Sequence, residues 1–216
     1  MMKICLLGAS GSIGTQTIDV MLKNPADFDL VGFSVGNNTR KISSIVKHFP
    51  NIKFICIKDK TKVYYFQKKY ANISFLFGND GLLDLISNCK CDLVVNALVG
   101  FVGLKPTLHS LELNKIVCLA NKESLVVGGE LINKYLNSGK GKIIPIDSEH
   151  VALAKCLSVD SNNVSKLIIT ASGGAFRNLN RNELISATPE MALCHPTWKM
   201  GKKITIDCAT MVNKTF

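Results

Sequence analysis

The chain has 216 residues, of which 47% are hydrophobic and 19% are charged, and its formal net charge is +10. This balance is typical of a folded protein with a buried core and does not fit an intrinsically disordered chain. No apolar run is long enough to cross a bilayer, and residues 1–14 pass from a short apolar run into glycines without the longer apolar stretch of a signal peptide. We therefore expect a soluble cytoplasmic protein with no membrane partner.

The basic residues do not favour a nucleic-acid partner. Arginine occurs only at Arg40, Arg177 and Arg181, and the lysines are spread along the chain without an interleaved aromatic patch. The lysines form either an ordinary solvated surface or a positive field that attracts phosphorylated ligands.

The eight cysteines are scattered, and they do not form a zinc or redox motif. The one close pair, Cys89 and Cys91, lacks the CxxC spacing of such motifs. Several others lie in apolar runs, where cysteine behaves as a small hydrophobic residue. We expect the cysteines to be reduced and mostly structural.

Apolar segments with little alternation recur along the first 146 residues, between segments of helical spacing. They predict strands of a parallel sheet that helices cover on both faces. The predicted strands cover 3–8, 29–35, 53–59, a weaker segment ending at 77, 92–100, 115–120 and 142–146. The predicted helices cover 12–24, 39–49, a segment before the weak strand, 104–114 and 122–139. We therefore predict an α/β fold with a Rossmann-like, doubly wound, mainly parallel sheet over 1–146.

The pattern changes in residues 147–216. We expect a strand within 164–176 that leads into a glycine turn, followed within 195–216 by a loop, a short strand and the start of a helix. The last predicted helix has no end signal. The sequence therefore predicts a second, incomplete α+β domain that begins at Asp147.

Three glycines, Gly8, Gly11 and Gly14, stand between the first predicted strand and the first predicted helix. Glycines in this context allow backbone N–H groups to approach a dinucleotide diphosphate at the helix N-terminus, although an ordinary glycine-rich turn is the alternative. The second strand ends without the acidic residue that NAD binders use, and Arg40 and Lys41 follow it. These cations favour NADP, unless they are simply exposed at the start of a helix.

Two carboxylates, Asp147 and Glu149, directly follow the last predicted strand of the first domain. In an extended segment, residues two apart point the same way, so both can face one hard cation such as Mg²⁺ or Mn²⁺. The alternative is helix capping by Asp147 or Ser148. The spacing alone leaves both interpretations open.

Further candidates follow along the second domain. Ser172 lies in a glycine turn that either forms an anion nest or is an ordinary turn. His195 and Trp198 share a loop in which the indole packs over a ligand or fills the core. Asn213 and Lys214 fit a phosphate contact or a polar helix surface.

Taken in order, six motifs resemble those of the 1-deoxy-D-xylulose 5-phosphate reductoisomerase family, from near residue 3 to the last residue. The motifs are GASGSIG (8–14), NKESLV (121–126), PIDSEH (145–150), ASGGAFR (171–177), HPTWKMGKKITID (195–207) and ATMVNK (209–214). The resemblance implies an oxidoreductase that uses NADPH and a divalent metal, Mn²⁺ or Mg²⁺. Its implied reaction rearranges and reduces a small sugar phosphate, 1-deoxy-D-xylulose 5-phosphate, to 2-C-methyl-D-erythritol 4-phosphate in the non-mevalonate isoprenoid pathway. The complete enzyme is implied to be a homodimer.

The resemblance also implies a set of site residues. The residues implied to bind NADPH are Ser10, Gly11, Ser12, Ile13, Gly36, Asn37, Asn38, Asn121, Lys122, Glu123 and Gly201. The residues implied to bind substrate are Ser148, Glu149, Ser172, His195, Trp198, Cys208, Asn213 and Lys214, with the Trp198 loop as a lid. The residues implied to act in catalysis are Lys122, Asp147, Glu149 and His195. The implied metal ligands are Asp147 and Glu149.

Three departures from the family pattern stand out. Asn37 replaces a lysine, so Arg40 or Lys41 is expected to contact the 2′-phosphate. Cys208 replaces a phosphate-binding serine, and a thiol is a weaker hydrogen-bond donor. The family continues past its NK motif with two residues and then a glutamate metal ligand, whereas here Thr215 and Phe216 fill those two places and the sequence ends. The alternative function is therefore a catalytically incomplete NADPH-binding fragment.

Overall fold

The structure is a computed structural model that describes residues 1–159 and 163–212. The chain divides into two compact units between Asp147 and Ser148. This division lies one residue after the predicted boundary at 146/147. We refer to residues 1–147 as unit 1 and to the residues from 148 onward as unit 2.

Unit 1 contains a sheet of seven parallel strands in the order β4-β3-β2-β1-β5-β6-β7. The strands are β1 (Met2–Leu7), β2 (Phe28–Val35), β3 (Phe54–Ile57), β4 (Ser74–Phe77), β5 (Leu93–Asn96), β6 (Ile116–Leu119) and β7 (Lys142–Pro145). The predicted Rossmann-like parallel sheet is confirmed. All seven strands predicted in residues 1–146 form. The prediction succeeded because buried parallel strands are continuously apolar and are therefore easy to detect in a sequence.

Helices connect consecutive strands of unit 1. They are α1 (Ser12–Lys23), α2 (Ile42–His48), α3 (Val63–Lys69), α4 (Gly78–Asn88), α5 (Leu104–Glu112) and α6 (Glu123–Asn137). Helix α4 was not among the helices predicted from the sequence. No helix in the described part of the chain is both long enough and apolar enough to cross a membrane.

The strand order creates a switch point between β1 and β5. The chain moves outward from β1 to β4 on one side and then crosses to β5 on the other side of β1. In open parallel sheets, ligands bind beyond the carboxyl ends of the strands at such a point. The loops that follow β1 and β5 touch there, since a Cβ on Gly8 would lie 2.6 Å from the carbonyl oxygen of Ala97. Gly8 also has a φ of +84°, so the site requires glycine.

Alternate residues of β1 pack into cores on opposite faces of the sheet. Ile4 and Leu6 belong to the larger core with α1 and α2, whereas Cys5 and Leu7 belong to the core beneath α4. This division follows from the two-residue period of a strand. A third core lies between the sheet and helices α5 and α6.

Unit 2 contains α7 (Ser148–Leu157), a 3₁₀ turn (Glu183–Ser186), α8 (Pro189–Ala192) and α9 (Lys202–Ala209). The expected strand within 164–176 is wrong, because residues 164–174 are irregular. A strand is stable only when a neighbour satisfies its backbone hydrogen bonds. In the described chain no segment pairs with residues 164–174, and Leu167, Ile168 and Ile169 are exposed.

The short strand expected within 195–216 is also wrong, because α9 forms where the sequence alternates polar and apolar residues. Thr205, Cys208 and Ala209 are its buried residues, and their spacing of three and four defines one helical face. An ion pair of 2.8 Å between Lys203 Nζ and Asp207 Oδ2 links successive turns. The buried face of α9 and the ion pair between Lys203 and Asp207 therefore stabilise a helix where the sequence pattern predicted a strand.

Candidate active site

The glycine loop between β1 and α1 has the features of an anion-binding site. Helix α1 begins at Ser12, after Gly11 in an extended conformation, and no side chain caps it. Its first turn contains no acidic residue. Backbone N–H groups at an uncapped helix start carry partial positive charge. The predicted cofactor residues Ser10, Gly11, Ser12 and Ile13 lie together here, and all four are at least partly exposed.

Ser34 on β2 holds this loop, and the sequence reading missed it. The backbone N–H of Gly8 donates to Ser34 Oγ over 2.9 Å, and the N–H of Ala9 donates to the Ser34 carbonyl oxygen over 2.8 Å. Ser34 is buried. The only sequence signal is a hydroxyl residue between two apolar residues near the end of a buried strand. Its loop partners lie about 25 residues away in the sequence, beyond the reach of a local pattern.

The loop after β2 carries three predicted cofactor residues, Gly36, Asn37 and Asn38, and all three are exposed. Lys62, which the sequence reading missed, reaches this loop from the 3₁₀ turn before α3. Its Nζ donates to the carbonyl oxygen of Asn37 over 3.5 Å. A cation therefore lies beside Asn37, the position at which the resemblance implies a lysine.

Arg40 and Lys41, which are expected to contact a 2′-phosphate, differ in their surroundings. Lys41 is half-buried, and its Nζ donates to Thr15 Oγ1 of α1 over 2.6 Å. Arg40 is exposed beside it. Lys41 therefore connects the second loop to the helix that follows the glycine loop.

The side chain of Asn121, a predicted cofactor residue, is engaged in hydrogen bonds within the protein. Its Nδ2 donates to the carbonyl oxygens of Leu98 (3.0 Å) and Gly100 (2.9 Å), and its Oδ1 accepts from the N–H (3.0 Å) and hydroxyl of Ser124. The residue is 1% exposed. Its side chain therefore joins the loop after β5 to the start of α6. A cofactor contact at this position would have to come from the backbone.

Two further polar residues hold the loop after β5. Glu123 Oε1 accepts a hydrogen bond from the N–H of Gly100 over 3.3 Å. Asn96, at the end of β5, donates from Nδ2 to the Gly103 carbonyl oxygen and to Thr107 Oγ1 over 2.9 and 2.8 Å. Asn96 is fully buried and was also missed by the sequence reading. These contacts fix the backbone on one side of the switch point.

Lys122 and Asp147 form an ion pair at the same edge of the sheet. Lys122 Nζ lies 2.8 Å from Asp147 Oδ2, and the two side chains are only 10% and 14% exposed. Lys122 follows β6 and Asp147 follows β7, so both stand at carboxyl ends of parallel strands. Two residues predicted to act in catalysis are thus in direct contact.

The other predicted metal ligand, Glu149, lies in unit 2. Helix α7 begins at Ser148, and Glu149 is the acidic residue of its first turn. The expectation of an extended segment through both carboxylates is therefore wrong, because the helix starts between them. The first turn of a helix favours an acidic residue, as the capping interpretation predicted. The metal role of Asp147 and Glu149 stays a prediction.

Ser172 and His195 come together in unit 2. Ser172 Oγ lies 2.9 Å from His195 Nε2. His195 Nδ1 accepts hydrogen bonds from the backbone N–H groups of Thr197 (3.2 Å) and Trp198 (2.9 Å). In the neutral imidazole the proton must then be on Nε2, which donates to Ser172 Oγ. The hydroxyl hydrogen of Ser172 is left to donate to a ligand.

Two further predicted substrate residues of unit 2, Trp198 and Cys208, differ in exposure. Trp198 is 65% exposed and lines an open cleft of about 350 Å³ with the rest of the 193–200 segment and Thr205. Cys208 is buried in α9. Gly174 packs closely against α9, and a Cβ at this position would lie 2.5 Å from the Cys208 carbonyl oxygen. Its φ of +67° also favours glycine.

The last three predicted site residues are Gly201, Asn213 and Lys214. Gly201 is exposed and precedes the first residue of α9, with an extended conformation. Asn213 and Lys214 lie outside the described residues. Within the described ranges, no group of three or more His, Cys, Asp and Glu side chains is arranged to hold a metal ion.

Two family models match the chain. The first is described as 1-deoxy-D-xylulose 5-phosphate reductoisomerase and matches residues 4–129. The second is described as the 1-deoxy-D-xylulose 5-phosphate reductoisomerase C-terminal domain and matches residues 143–216. Together they span most of both units.

Similar proteins carry the same description. Reductoisomerases of Macrococcus caseolyticus and Clostridium novyi are each 46% identical to the chain over 99% of its length, and the matches cover 56% and 57% of those relatives. A crystal structure of DOX-P reductoisomerase in complex with NADPH, fosmidomycin and magnesium matches with a TM-score of 0.88 and 32% identity. The Zymomonas mobilis reductoisomerase in complex with NADPH matches with a TM-score of 0.85 and 34% identity. Both matches cover 99% of this chain, and 56% and 55% of those chains. The chain therefore spans a little over half the length of the relatives it matches.

Proposed function

Because the chain belongs to the 1-deoxy-D-xylulose 5-phosphate reductoisomerase family, we propose that it takes part in the NADPH-dependent conversion of 1-deoxy-D-xylulose 5-phosphate to 2-C-methyl-D-erythritol 4-phosphate. Unit 1 is proposed to be the NADPH-binding domain, and unit 2 the first part of the catalytic domain. The observation that carries the proposal is that the glycine loop, Lys122 and Asp147 share the carboxyl edge of one parallel sheet. Cofactor and reacting groups are expected at that edge.

The glycine loop is proposed to receive the diphosphate of NADPH. The uncapped N-terminus of α1 offers backbone N–H groups, and Ser34 keeps the loop in the conformation that presents them. Arg40, Lys41 and Lys62 are proposed to surround the 2′-phosphate. NADPH would supply the hydride that reduces the rearranged aldehyde.

Asp147 and Glu149 are proposed to hold a divalent cation. Carboxylate oxygens are the ligands that Mg²⁺ prefers, so the donor set fits. A bound cation would supply Lewis-acid stabilisation of negative charge on the substrate oxygens. The Lys122 ammonium, oriented by Asp147, is proposed to donate a hydrogen bond to the same part of the substrate.

Ser172 and His195 are proposed to bind the substrate phosphate. Because His195 donates to Ser172 Oγ, the Ser172 hydroxyl hydrogen can be directed at an anionic phosphate oxygen. Phosphate binding remote from the reacting carbons supplies energy for positioning the substrate. The Trp198 segment is proposed to close over the bound substrate and exclude water.

Finer features belong to the same proposal. Mn²⁺ is proposed as an alternative to Mg²⁺, the active protein is proposed to be a homodimer, and its location is proposed to be the cytoplasm. Nucleic acid is proposed not to be a partner. Size measurement of the active protein by light scattering tests the dimer, and metal titration of the apoprotein distinguishes the two ions.

Substrate-dependent oxidation of NADPH tests the proposed reaction. A protein that contains this sequence is incubated with NADPH, Mg²⁺ and 1-deoxy-D-xylulose 5-phosphate, and the product is identified by mass spectrometry. We expect 2-C-methyl-D-erythritol 4-phosphate only when all three are present. NADPH oxidation that does not depend on this sugar phosphate contradicts the proposed substrate.

A second candidate is an NADPH-binding protein without turnover. It is supported by the location of the glycine loop and of the uncapped start of α1, which both lie in unit 1 and offer a cofactor site without a contribution from unit 2. Residues 1–216 would then bind NADPH but leave it unchanged in the assay above. Turnover by residues 1–216 alone contradicts this candidate.

A further inference from the structure

Ser87, His109 and Glu112 form a line of polar contacts on the surface of unit 1, and the proposed reaction does not use them. Ser87 lies in the last turn of α4, and the other two residues lie in the last turn of α5. His109 and Glu112 are three positions apart, so they share one face of that helix. Ser87 Oγ lies 2.7 Å from His109 Nε2, and His109 Nδ1 lies 3.5 Å from Glu112 Oε2.

The carboxylate of Glu112 determines which ring nitrogen of His109 carries the proton. An ionised carboxylate accepts hydrogen bonds and does not donate them, so it favours a proton on the Nδ1 that faces it. In the neutral imidazole Nε2 is then the acceptor, and the Ser87 hydroxyl donates to it. His109 is therefore placed to remove the proton of Ser87, which is the role of the histidine in a serine–histidine–carboxylate site.

The Ser172–His195 pair of unit 2 has the opposite arrangement. Two backbone N–H groups donate to Nδ1 of His195, so its proton is on Nε2 and points at Ser172 Oγ. That imidazole is a donor to its serine, whereas the imidazole of His109 is an acceptor. Of these two pairs, the one on α4 and α5 has the polarity that activates a serine nucleophile.

Ser87 is accessible to a reactant in solution. The residue is exposed, and the side chains of His109 and Glu112 are 25% and 58% exposed. A helical serine commonly donates to a carbonyl oxygen of its own helix, as Ser110 does to Pro106 over 2.7 Å. The Ser87 hydroxyl instead bonds to a side chain of the neighbouring helix. Its oxygen is therefore both hydrogen-bonded to a base and open to an electrophile.

We propose that Ser87 is the nucleophile of a second reactive site, with His109 as its general base and Glu112 as the residue that positions the base. The substrates are activated esters. The Ser87 oxygen attacks the acyl carbon, and its proton passes to His109 Nε2. The C–O bond to the leaving group then breaks, and that group takes the proton. Water attacks the acyl-serine by the same route, so one water hydrolyses one ester to an acid and an alcohol.

The surroundings of Ser87 restrict the site to substrates with a good leaving group. An oxyanion hole needs free N–H donors, but the backbone N–H groups in the last turn of α4 are used by the helix itself. The side-chain amide of the next residue, Asn88, donates to the carbonyl oxygen of Asp84 over 2.8 Å. The negative charge of the intermediate is therefore weakly stabilised, and we expect slow turnover of aryl esters and none of amides.

The position of the site separates it from the proposed cofactor site. Helix α4 ends at Asn88 before β5 begins at Leu93, and α5 ends at Glu112 before β6 begins at Ile116. The reactive site therefore lies at the amino edge of the sheet, whereas the glycine loop follows the carboxyl end of β1. We expect NADPH binding to persist after modification of Ser87, so the two proposals can be tested independently.

Labelling with a fluorophosphonate tests the nucleophile. In this reaction the Ser87 oxygen attacks phosphorus, fluoride leaves as the P–F bond breaks, and the hydroxyl proton passes to His109 Nε2. Residues 1–216 are incubated with the reagent and digested, and the modified residue is located by tandem mass spectrometry. We expect a stable adduct on Ser87. Absence of an adduct on folded protein, or an adduct on Ser172 instead, overturns the proposal.

Substitution of the two supporting residues distinguishes activation of Ser87 from mere exposure. His109→Asn should lower the rate of labelling by about 100-fold, and Glu112→Gln should lower it several-fold. His48→Asn is the matched control, since His48 Nδ1 contacts the carbonyl oxygen of Ser44 over 2.8 Å and not a hydroxyl. Circular dichroism checks that each variant is folded. An unchanged rate in His109→Asn, or an equal loss in His48→Asn, contradicts the role of His109.

Hydrolysis of p-nitrophenyl acetate tests turnover at the same site. We expect residues 1–216 to release more than one equivalent of p-nitrophenolate per chain, because water regenerates the serine. Ser87→Ala should lose this release and retain NADPH binding, whereas Ser44→Ala, which removes an exposed hydroxyl bonded to the Lys41 carbonyl, should change neither. The same release by Ser87→Ala and the unsubstituted chain overturns the proposal.

Discussion

Lys122 Nζ lies 2.8 Å from Asp147 Oδ2, and both side chains are nearly buried at the carboxyl edge of the unit 1 sheet. These residues are 25 positions apart, and they follow the two last strands, β6 and β7. Removal of one partner from such a pair leaves the other charge buried without compensation. The pair therefore links the stability of unit 1 to residues proposed to act on substrate and metal.

Asp147→Asn should lower the free energy of unfolding by about 1–3 kcal/mol, because the Lys122 ammonium loses its charged partner. In the active protein it should also abolish metal-dependent turnover, while NADPH affinity stays near normal. Urea unfolding and NADPH titration measure the two effects. Lys122→Met combined with Asp147→Leu should recover part of the lost stability, and loss of NADPH binding in Asp147→Asn would assign the residue a structural role.

Ser34→Ala should weaken NADPH binding although Ser34 is not proposed to touch the cofactor. The substitution leaves the partly buried N–H of Gly8 without its side-chain acceptor, at a cost of about 1 kcal/mol in unfolding free energy. Fluorescence titration with NADPH and urea unfolding measure the effects. Ser138→Ala is the matched control, since this exposed hydroxyl bonds only the carbonyl of Tyr135 at the end of α6. Equal behaviour of the two variants would contradict the role of Ser34.

Lys62→Gln should lower affinity for NADPH by about two- to fivefold and leave affinity for NADH unchanged. The reason is that Lys62 Nζ lies beside the Asn37 carbonyl, where a 2′-phosphate is proposed to bind. Titrations with both cofactors at two salt concentrations measure the difference. Lys68→Gln removes the same charge from an exposed position of α3 and should change neither affinity. A parallel loss of NADPH and NADH affinity in Lys62→Gln would mean that the lysine only supports the loop.

Ser172→Ala and His195→Ala should each raise the KM for the sugar phosphate about tenfold, and the double variant should lose little more. Non-additivity is expected because the two side chains share one hydrogen bond of 2.9 Å. Steady-state kinetics of the active protein measures the coupling. Fully additive losses would show that the two residues contact the substrate independently.

Cys208→Ser should leave affinity for the substrate phosphate equal or higher, because a hydroxyl is a better hydrogen-bond donor than a thiol. The side chain is buried in α9, so the smaller atom is expected to fit. Inhibition by inorganic phosphate and the KM of the sugar phosphate report the effect. A clear loss of affinity would mean that the thiol has its own role at this position.

The sheet of unit 1 could be predicted from the sequence, but the polar contacts that position its loops could not. Buried parallel strands leave a local signature, as in the apolar run of β5. Ser34 and Asn96 leave none, since their partners depend on how distant segments meet. Asn121 was predicted as a cofactor residue from the resemblance, yet its amide groups are used by the loop after β5. A motif identifies the residue but does not say which of its atoms faces the ligand.

Unit 2 was harder to predict for a different reason. Strand formation depends on a neighbouring strand, and the apolar segment that includes Ile168 and Ile169 has no paired neighbour among the described residues. Polar and apolar side chains alternate over residues 203–207, and this short pattern is also compatible with a helix when Thr205 and Cys208 are buried on one helical face. Ser172 and His195 were each identified as candidates, but their contact spans 23 residues and needed the structure.

Calorimetric titration of residues 1–216 with NADPH and with NADH tests the central claim most directly. The predicted result is saturable, one-to-one binding of NADPH that is weakened by Ser34→Ala and by higher salt, with clearly weaker binding of NADH. Absence of NADPH binding by folded protein, or equal affinity for both cofactors, would contradict the assignment of unit 1 as an NADPH-binding domain.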